Sequence, residues 1–336
     1  MLIYVYICIN STRHATLKNS VPGRVFCFIG FFIVNMYNKK SLTIEEQIIQ
    51  LKARGLSISD SDLAFHFLSH ISYYRLAGYW WPMQSEPKEQ HIFKEGSKFE
   101  DVISLYNFDR ELRIIVFDAI EKIEISLRTK LIYHLSHEFG AWWFQNMEIF
   151  QNVPEAIRTL AVIEEELTRS KDIFIKSHKT KHKDDLRFPP SWKTLELTSF
   201  GALSKIYGNL KNDVESKDLI SKELGLVNHT FLPSWLQSLA QIRNYCAHHS
   251  RLWNKNLPGR PKLLPNPPHA WINQVPEERE MHMLYIHLCC IKYLLNIIQP
   301  QNKLTIQLSE VLGKYPSVDP NALGMKSNWN KEPLWL

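Results

Sequence analysis

The stretch between Ser97 and Gly140 constrains this chain most. Leu112, Val116, Ala119, Ile120, Ile123, Leu127 and Leu131 recur there at intervals of three and four residues, which at 3.6 residues per turn places them in one core-facing stripe of a long helix. Ser97 and Glu100 are spaced as a capping box at its start, and Gly140 is placed to stop it. Glycine is scarce, at 12 in 336 residues, and nowhere do the short alternating runs and frequent turn signals of a β-protein appear. The expected fold class is all-α.

Other segments read the same way. Thr43 and Glu46 form a capping box ahead of a helix over 44–54 that Gly55 ends, and a second helix follows Asp60 through Leu63, Phe67 and Leu68. The sequence Ser-Tyr-Tyr-Arg-Leu-Ala-Gly-Tyr-Trp-Trp-Pro at 72–82 gathers Tyr73, Tyr74, Trp80 and Trp81 around Arg75. It reads as aromatic packing where two helices meet, with a base-stacking platform as the alternative. An amphipathic helix is expected from Pro154 to about Ile175, and the polar run 176–187, with Lys181 and Lys183, as a solvated linker or a phosphate-contacting loop. Short helices are expected over 191–223. A helix from near Ser234 turns Trp235, Leu236, Leu239, Ile242 and Tyr245 inward, six prolines between Pro258 and Pro276 mark an irregular segment, and a last long helix spans 277–298. Glu121, Glu124 and Arg128 fall on another face of the long helix; a solvated face with Glu124 and Arg128 paired at i,i+4 is preferred to an active-site role, with a dimer interface as a further alternative.

Composition narrows the class. With 45% hydrophobic and 22% charged residues in 336, the chain has the make-up of a globular protein of one large or two medium domains. The five cysteines, Cys8, Cys27, Cys246, Cys289 and Cys290, include no CxxC pair and give neither a disulfide framework nor a zinc ribbon, so a reducing, cytoplasmic setting is expected. The net charge is +6, but residues 1–35 hold Arg13, Lys18 and Arg24 and no acid, leaving +3 for the rest. Any basic surface must therefore be local. The apolar runs 2–9 and 25–34 are too short for a membrane span, and Met36 opens a sequence typical of the start of a soluble protein. Residues 1–35 are read as an extension from upstream translation, with a cryptic signal or membrane anchor as the competing reading.

Candidate chemistry sits at 241–254, Gln-Ile-Arg-Asn-Tyr-Cys-Ala-His-His-Ser-Arg-Leu-Trp-Asn, where Arg243, Asn244, His248, His249 and Arg251 fall within nine positions. Cleaving RNA without a metal needs a carrier for the 2′-hydroxyl proton and a cation for the phosphorane, and His and Arg supply both near pH 7. As a bare pattern, Arg followed five positions later by His is weak: 14 arginines and 14 histidines produce roughly 0.6 matches by chance at one spacing. Arg128 and His134 satisfy its relaxed form with no other support. The second instance gains from local chemistry, since Asn244 and His248 share a helix face and Arg251 adds a cation. Arg243 and His248 lie about 140° apart around a helix axis, so the arginine must curl toward the histidine or the helix must end nearby. A structural helix ending in a histidine pair remains the alternative. A metal set of Cys246, His248 and His249 is weaker, because adjacent histidines diverge by about 100°.

The ordered segments Ile-Ser-Tyr-Tyr-Arg-Leu-Ala-Gly-Tyr-Trp-Trp-Pro (71–82), Tyr-Asn-Phe-Asp-Arg-Glu-Leu-Arg (106–113), Ile-Glu-Lys-Ile-Glu-Ile-Ser-Leu-Arg-Thr (120–129), Trp192 through Ser-Phe-Gly-Ala-Leu-Ser (199–204), and 243–254 resemble the signature blocks of the bacterial Abi-like abortive-infection proteins of the AbiD and AbiF type. The resemblance runs from about residue 40 to at least 255. It implies a HEPN-type helical bundle with additional N- and C-terminal helices: an N-terminal helical segment over 36–95, the core over 96–255, and a Pro-rich segment with C-terminal helices over 256–336. It also implies a metal-independent endoribonuclease acting in phage defence or as a toxin, with Arg243, Asn244, His248 and His249 catalytic and with two copies of the motif meeting across a homodimer.

The reaction so implied is transesterification to a 2′,3′-cyclic phosphate and a 5′-hydroxyl. His248 accepts the 2′-hydroxyl proton or protonates the leaving 5′-oxygen, Arg243 stabilises the phosphorane, Asn244 orients the imidazole or the phosphate, and His249 is a candidate for the second proton transfer. Arg251, Arg128, Lys181 and Lys183 are the candidate RNA contacts, and no cofactor or metal is expected. The expected partners are RNA, a second copy of the chain, and an antitoxin or regulatory RNA. Neither DNA nor a membrane is expected unless residues 1–35 act as an anchor. Competing readings are a non-catalytic RNA-binding or scaffold protein and a membrane-associated protein.

Overall fold

The computed structural model describes residues 39–336, so Cys8, Cys27, Met36 and the apolar runs of the first 35 residues lie outside the described residues. Twelve α-helices occur among the described residues, with no strand beyond isolated bridges such as Ser57 with Lys98. The fold is all-α. The helices are α1 (Ile44–Ala53), α2 (Ser61–His70), α3 (Tyr73–Trp80), α4 (Phe99–Phe139), α5 (Val153–Arg169) and α6 (Ile173–Lys181), then α7 (Ser191–Thr194), α8 (Phe200–Asn209), α9 (Glu215–Glu223), α10 (Leu232–Ala247), α11 (Leu284–Ile298) and α12 (Leu304–Lys314). Thr43 to Leu336 form one compact unit. No helix among the described residues is long and apolar enough to cross a membrane.

The 41-residue α4 is the hub, as its stripe predicts. All seven stripe residues are buried, and α3, α9, α10, α11 and α12 pack around the helix. Its start differs from the expected capping box. The Ser97 hydroxyl donates to the Met83 carbonyl and Glu100 accepts from the Ser59 hydroxyl, so the cap position falls to Lys98, with no side-chain cap. The Thr43–Glu46 box forms in full, and Asp60 caps α2 through the Leu63 N–H. The helix expected over 154–175 is two: α5 ends at Arg169, and α6 takes in the first half of the polar run. The last long helix starts later than expected, at Leu284.

Asp109 and His287 are among the polar side chains buried in the fold. Asp109 of α4 is fully buried, and both of its oxygens are used. Oδ2 accepts from the Tyr79 hydroxyl at 2.7 Å and pairs with Arg113, while Oδ1 accepts from the backbone N–H groups of Leu252 at 3.0 Å and Trp253 at 2.6 Å. His287 of α11 is also fully buried; its Nδ1 bonds the Ser238 hydroxyl and its Nε2 has no partner. Burial drives its pKa down to about 3, so the folded protein holds it neutral.

Removing either group has a measurable consequence. Asp109→Ala leaves Arg113 buried without its carboxylate and should destabilise the protein by about 3–5 kcal/mol in denaturant unfolding. For His287 the unfolded chain takes up a proton below about pH 6.5, whereas the folded chain does so only near pH 3. Its contribution is therefore complete above pH 6.5 and is lost as pH falls toward 3, on the order of 4–5 kcal/mol across that window. His287→Gln should flatten the corresponding part of a stability-versus-pH curve, and a curve of unchanged slope would refute the assignment.

Candidate functional site

The end of α10 is built by its own backbone. The His248 N–H donates to the Asn244 carbonyl at 2.9 Å, the His249 N–H to Cys246 at 3.1 Å and the Ser250 N–H to Tyr245 at 2.8 Å, the bonding pattern of a Schellman stop. That stop needs a left-handed residue just past the cap, usually glycine, and here it is His249, with φ +55°. A non-glycine residue in this region stores about 1–2 kcal/mol of strain, which suggests a demand on the histidine side chain beyond the turn. Arg75 of α3 holds the turn by donating to the His249 carbonyl at 2.7 Å, Arg251 donates to the Gly78 carbonyl, and Asp109 captures the next two N–H groups. Asn244, His248 and His249 are all exposed, and the side chains of His248 and His249 make no hydrogen bond or ion pair among the described residues.

Arg243 points elsewhere. It lies on the α4 side of α10, where its guanidinium sits 5.6 Å from the Phe117 ring centroid and its Nε 3.6 Å from Glu124 Oε2. Phe117, Glu121, Glu124, Ile125, Arg128 and Arg243 line an open cavity of about 290 Å³. Glu124 and Arg128 pair at 2.8 Å as their i,i+4 spacing predicts, but they do not form a solvated face: their side chains are 12% and 13% exposed. Arg128 reaches across to the carbonyls of Leu195 at 3.0 Å and Thr198 at 3.1 Å. Glu121 is exposed at the rim.

Arg243 and Glu124 thus share a cavity whose lining does not include Asn244, His248 or His249. The 140° separation read from the sequence persists because α10 stays helical through Ala247. Lys181 ends α6 and Lys183 follows it, both exposed, on an element separate from the cluster. Cys246 is buried, with its thiol pushed up to about 12 by desolvation, and no group of three candidate metal ligands occurs among the described residues. In the aromatic segment Tyr79 and Trp80 are buried and Tyr73 packs edge-on to Trp80, whereas Tyr74 is 90% exposed. Tyr245, expected inward, is partly buried and packs against the core, with the Lys255 ammonium over its ring. Sequence reasoning missed two participants: Phe117 was visible only as an apolar residue and Arg75 only as part of an aromatic cluster. An active-site role for Glu124 was weighed and ranked below a solvated face.

The family model described as Abi-like protein matches residues 66–254, more than half of the 336-residue chain. No curated protein and no solved structure matches it. The matched span holds α3, α4 and α10, the helices that supply most of the buried Asp109 cluster and the lining of the Arg243 cavity. The chain belongs to the Abi-like protein family.

Proposed function

We propose that this protein is a metal-independent endoribonuclease of the HEPN type that acts in abortive infection. Membership of the Abi-like family supports the abortive-infection role. The observation that carries the enzymatic reading is the end of α10: a strained, firmly braced turn presents Asn244, His248 and His249 to solvent, with the histidine side chains free of internal partners. His248 accepts the 2′-hydroxyl proton or protonates the leaving 5′-oxygen, Arg243 neutralises the phosphorane, Asn244 orients the reacting groups, and His249 serves the other proton transfer. Arg251, Lys181 and Lys183 contribute positive charge along the RNA path.

Within one chain Arg243 turns toward α4 and His248 toward solvent. A homodimer in which each copy offers its α10 end to a shared groove brings an arginine of one subunit near a histidine of the other. The same separation favours the second reading, a non-catalytic RNA-binding or scaffold protein, if the chain is a monomer. An antitoxin or regulatory RNA would then control access to the exposed groups.

RNA cleavage by purified protein decides between the two. His248→Ala and Arg243→Ala should each lower it by about 10²–10⁴-fold with unfolding midpoints near wild type, and cleavage should persist in excess EDTA and leave cyclic-phosphate ends. Light scattering should give a dimer, and excess His248→Ala subunits should suppress wild-type activity beyond simple dilution. A fully active monomer would exclude the composite site. His249→Gly should raise stability by about 1 kcal/mol by relieving the left-handed strain. Retention of full activity in that variant would leave His248 as the working histidine.

A further inference from the structure

The Arg243 guanidinium is held from behind. Its Nε is buried and without a hydrogen bond, while Glu124 Oε2 stands 3.6 Å away, within ion-pair range but too far for a hydrogen bond. A buried N–H left unsatisfied is costly and uncommon. Glu124 itself is fixed, because its other oxygen is bonded by Arg128, and Arg128 is anchored to the Leu195 and Thr198 carbonyls. The chain of contacts runs from the segment before α8, through Arg128 and Glu124, to the back edge of Arg243. Its terminal nitrogens remain for the 290 Å³ cavity.

We propose that Glu124 is the positioning residue of Arg243, aiming its guanidinium at a phosphate in the cavity, with Arg128 as the clamp that fixes Glu124. Binding of the anion draws Arg243 into register, and the 3.6 Å gap closes to a hydrogen bond that satisfies the orphan Nε. The assignment rests on the ribonuclease reading, and it makes Arg128 a part of the support of the site, whether or not it also touches RNA.

Glu124→Gln preserves shape and removes only the charge. In full-length protein it should lower kcat by about 10–100-fold while KM for RNA moves less than about threefold and the shape of the pH–rate profile stays the same. Glu124→Asp should recover part of the loss. Glu124→Ala combined with Arg128→Ala should be no worse than Glu124→Ala alone, because the two act in series. An unchanged kcat in Glu124→Gln overturns the proposal, as does loss of one limb of the pH profile, which would make Glu124 a proton carrier. If the wild type cleaves no RNA, the ribonuclease reading fails separately. The positioning of Arg243 is then read from its Nε–H signal by NMR, assigned by its disappearance in Arg243→Lys. A shift or faster exchange in Glu124→Gln supports the contact, and an unchanged signal overturns it.

Discussion

A carboxylate shut away from water at position 109 sets the terms for the rest of this structure. Burying an ionised aspartate costs several kcal/mol unless hydrogen bonds and an opposite charge offset it. Desolvation pushes its pKa up, and Arg113, Tyr79 and the Leu252 and Trp253 N–H groups oppose that rise. These partners come from three places: α3, the next turn of α4, and the segment after α10. The chain beyond His249 therefore cannot move far without leaving a buried charge unpaired. The exposed histidines stand on a rigid base for that reason and through the Arg75 bond to the His249 carbonyl, and not through contacts of their side chains.

A second polar junction lies along the α4–α10 seam. Arg128 ties α4 to the carbonyls of Leu195 and Thr198, and Glu124 links it to Arg243. The two junctions together account for the five blocks that carry the family resemblance. Residues 71–82, 106–113 and 243–254 meet at Asp109, and 120–129, 192–204 and 243–254 meet at Glu124 and Arg128. Only the last block belongs to both.

The elements legible in the sequence were those decided by local chemistry. The α4 stripe, the Thr43 box, the Asp60 cap and the inward face of α10 each follow from a period or a short-range bond. The Ser97–Glu100 pair had equally good local credentials and lost to tertiary partners, Met83 and Ser59. Arg128 and His134, dismissed as a chance match, have unrelated partners, since His134 sits 3.0 Å from Glu223. The stop of α10 was hidden because the residue in the left-handed position is a histidine, and only the folded backbone identifies it. For the candidate site, residue identity was legible and relative placement was not. A helix period gives the angle between Arg243 and His248, but the direction of the arginine depends on Glu124, 119 positions earlier in the chain.

The charge balance of the cavity bears on how such a site would work. Arg243 and Arg128 stand against Glu121 and Glu124, so the cavity wall is close to neutral and is a poor collector of RNA phosphates. That is a disadvantage for binding, so the proposed chemistry depends on charge that develops at the phosphate during the reaction. A phosphodiester carries one negative charge, and its pentavalent phosphorane approaches two. Coulomb energy is linear in charge, so the nearby carboxylate weakens the hold of Arg243 on both states in proportion, and what lowers the barrier is its interaction with the charge added in the phosphorane. Holding the strand then falls to groups outside the cavity, such as the exposed lysines after α6 and the cations near the α10 turn. Affinity and turnover would in that case reside on different elements of the same fold, and salt would weaken the first much more than the second.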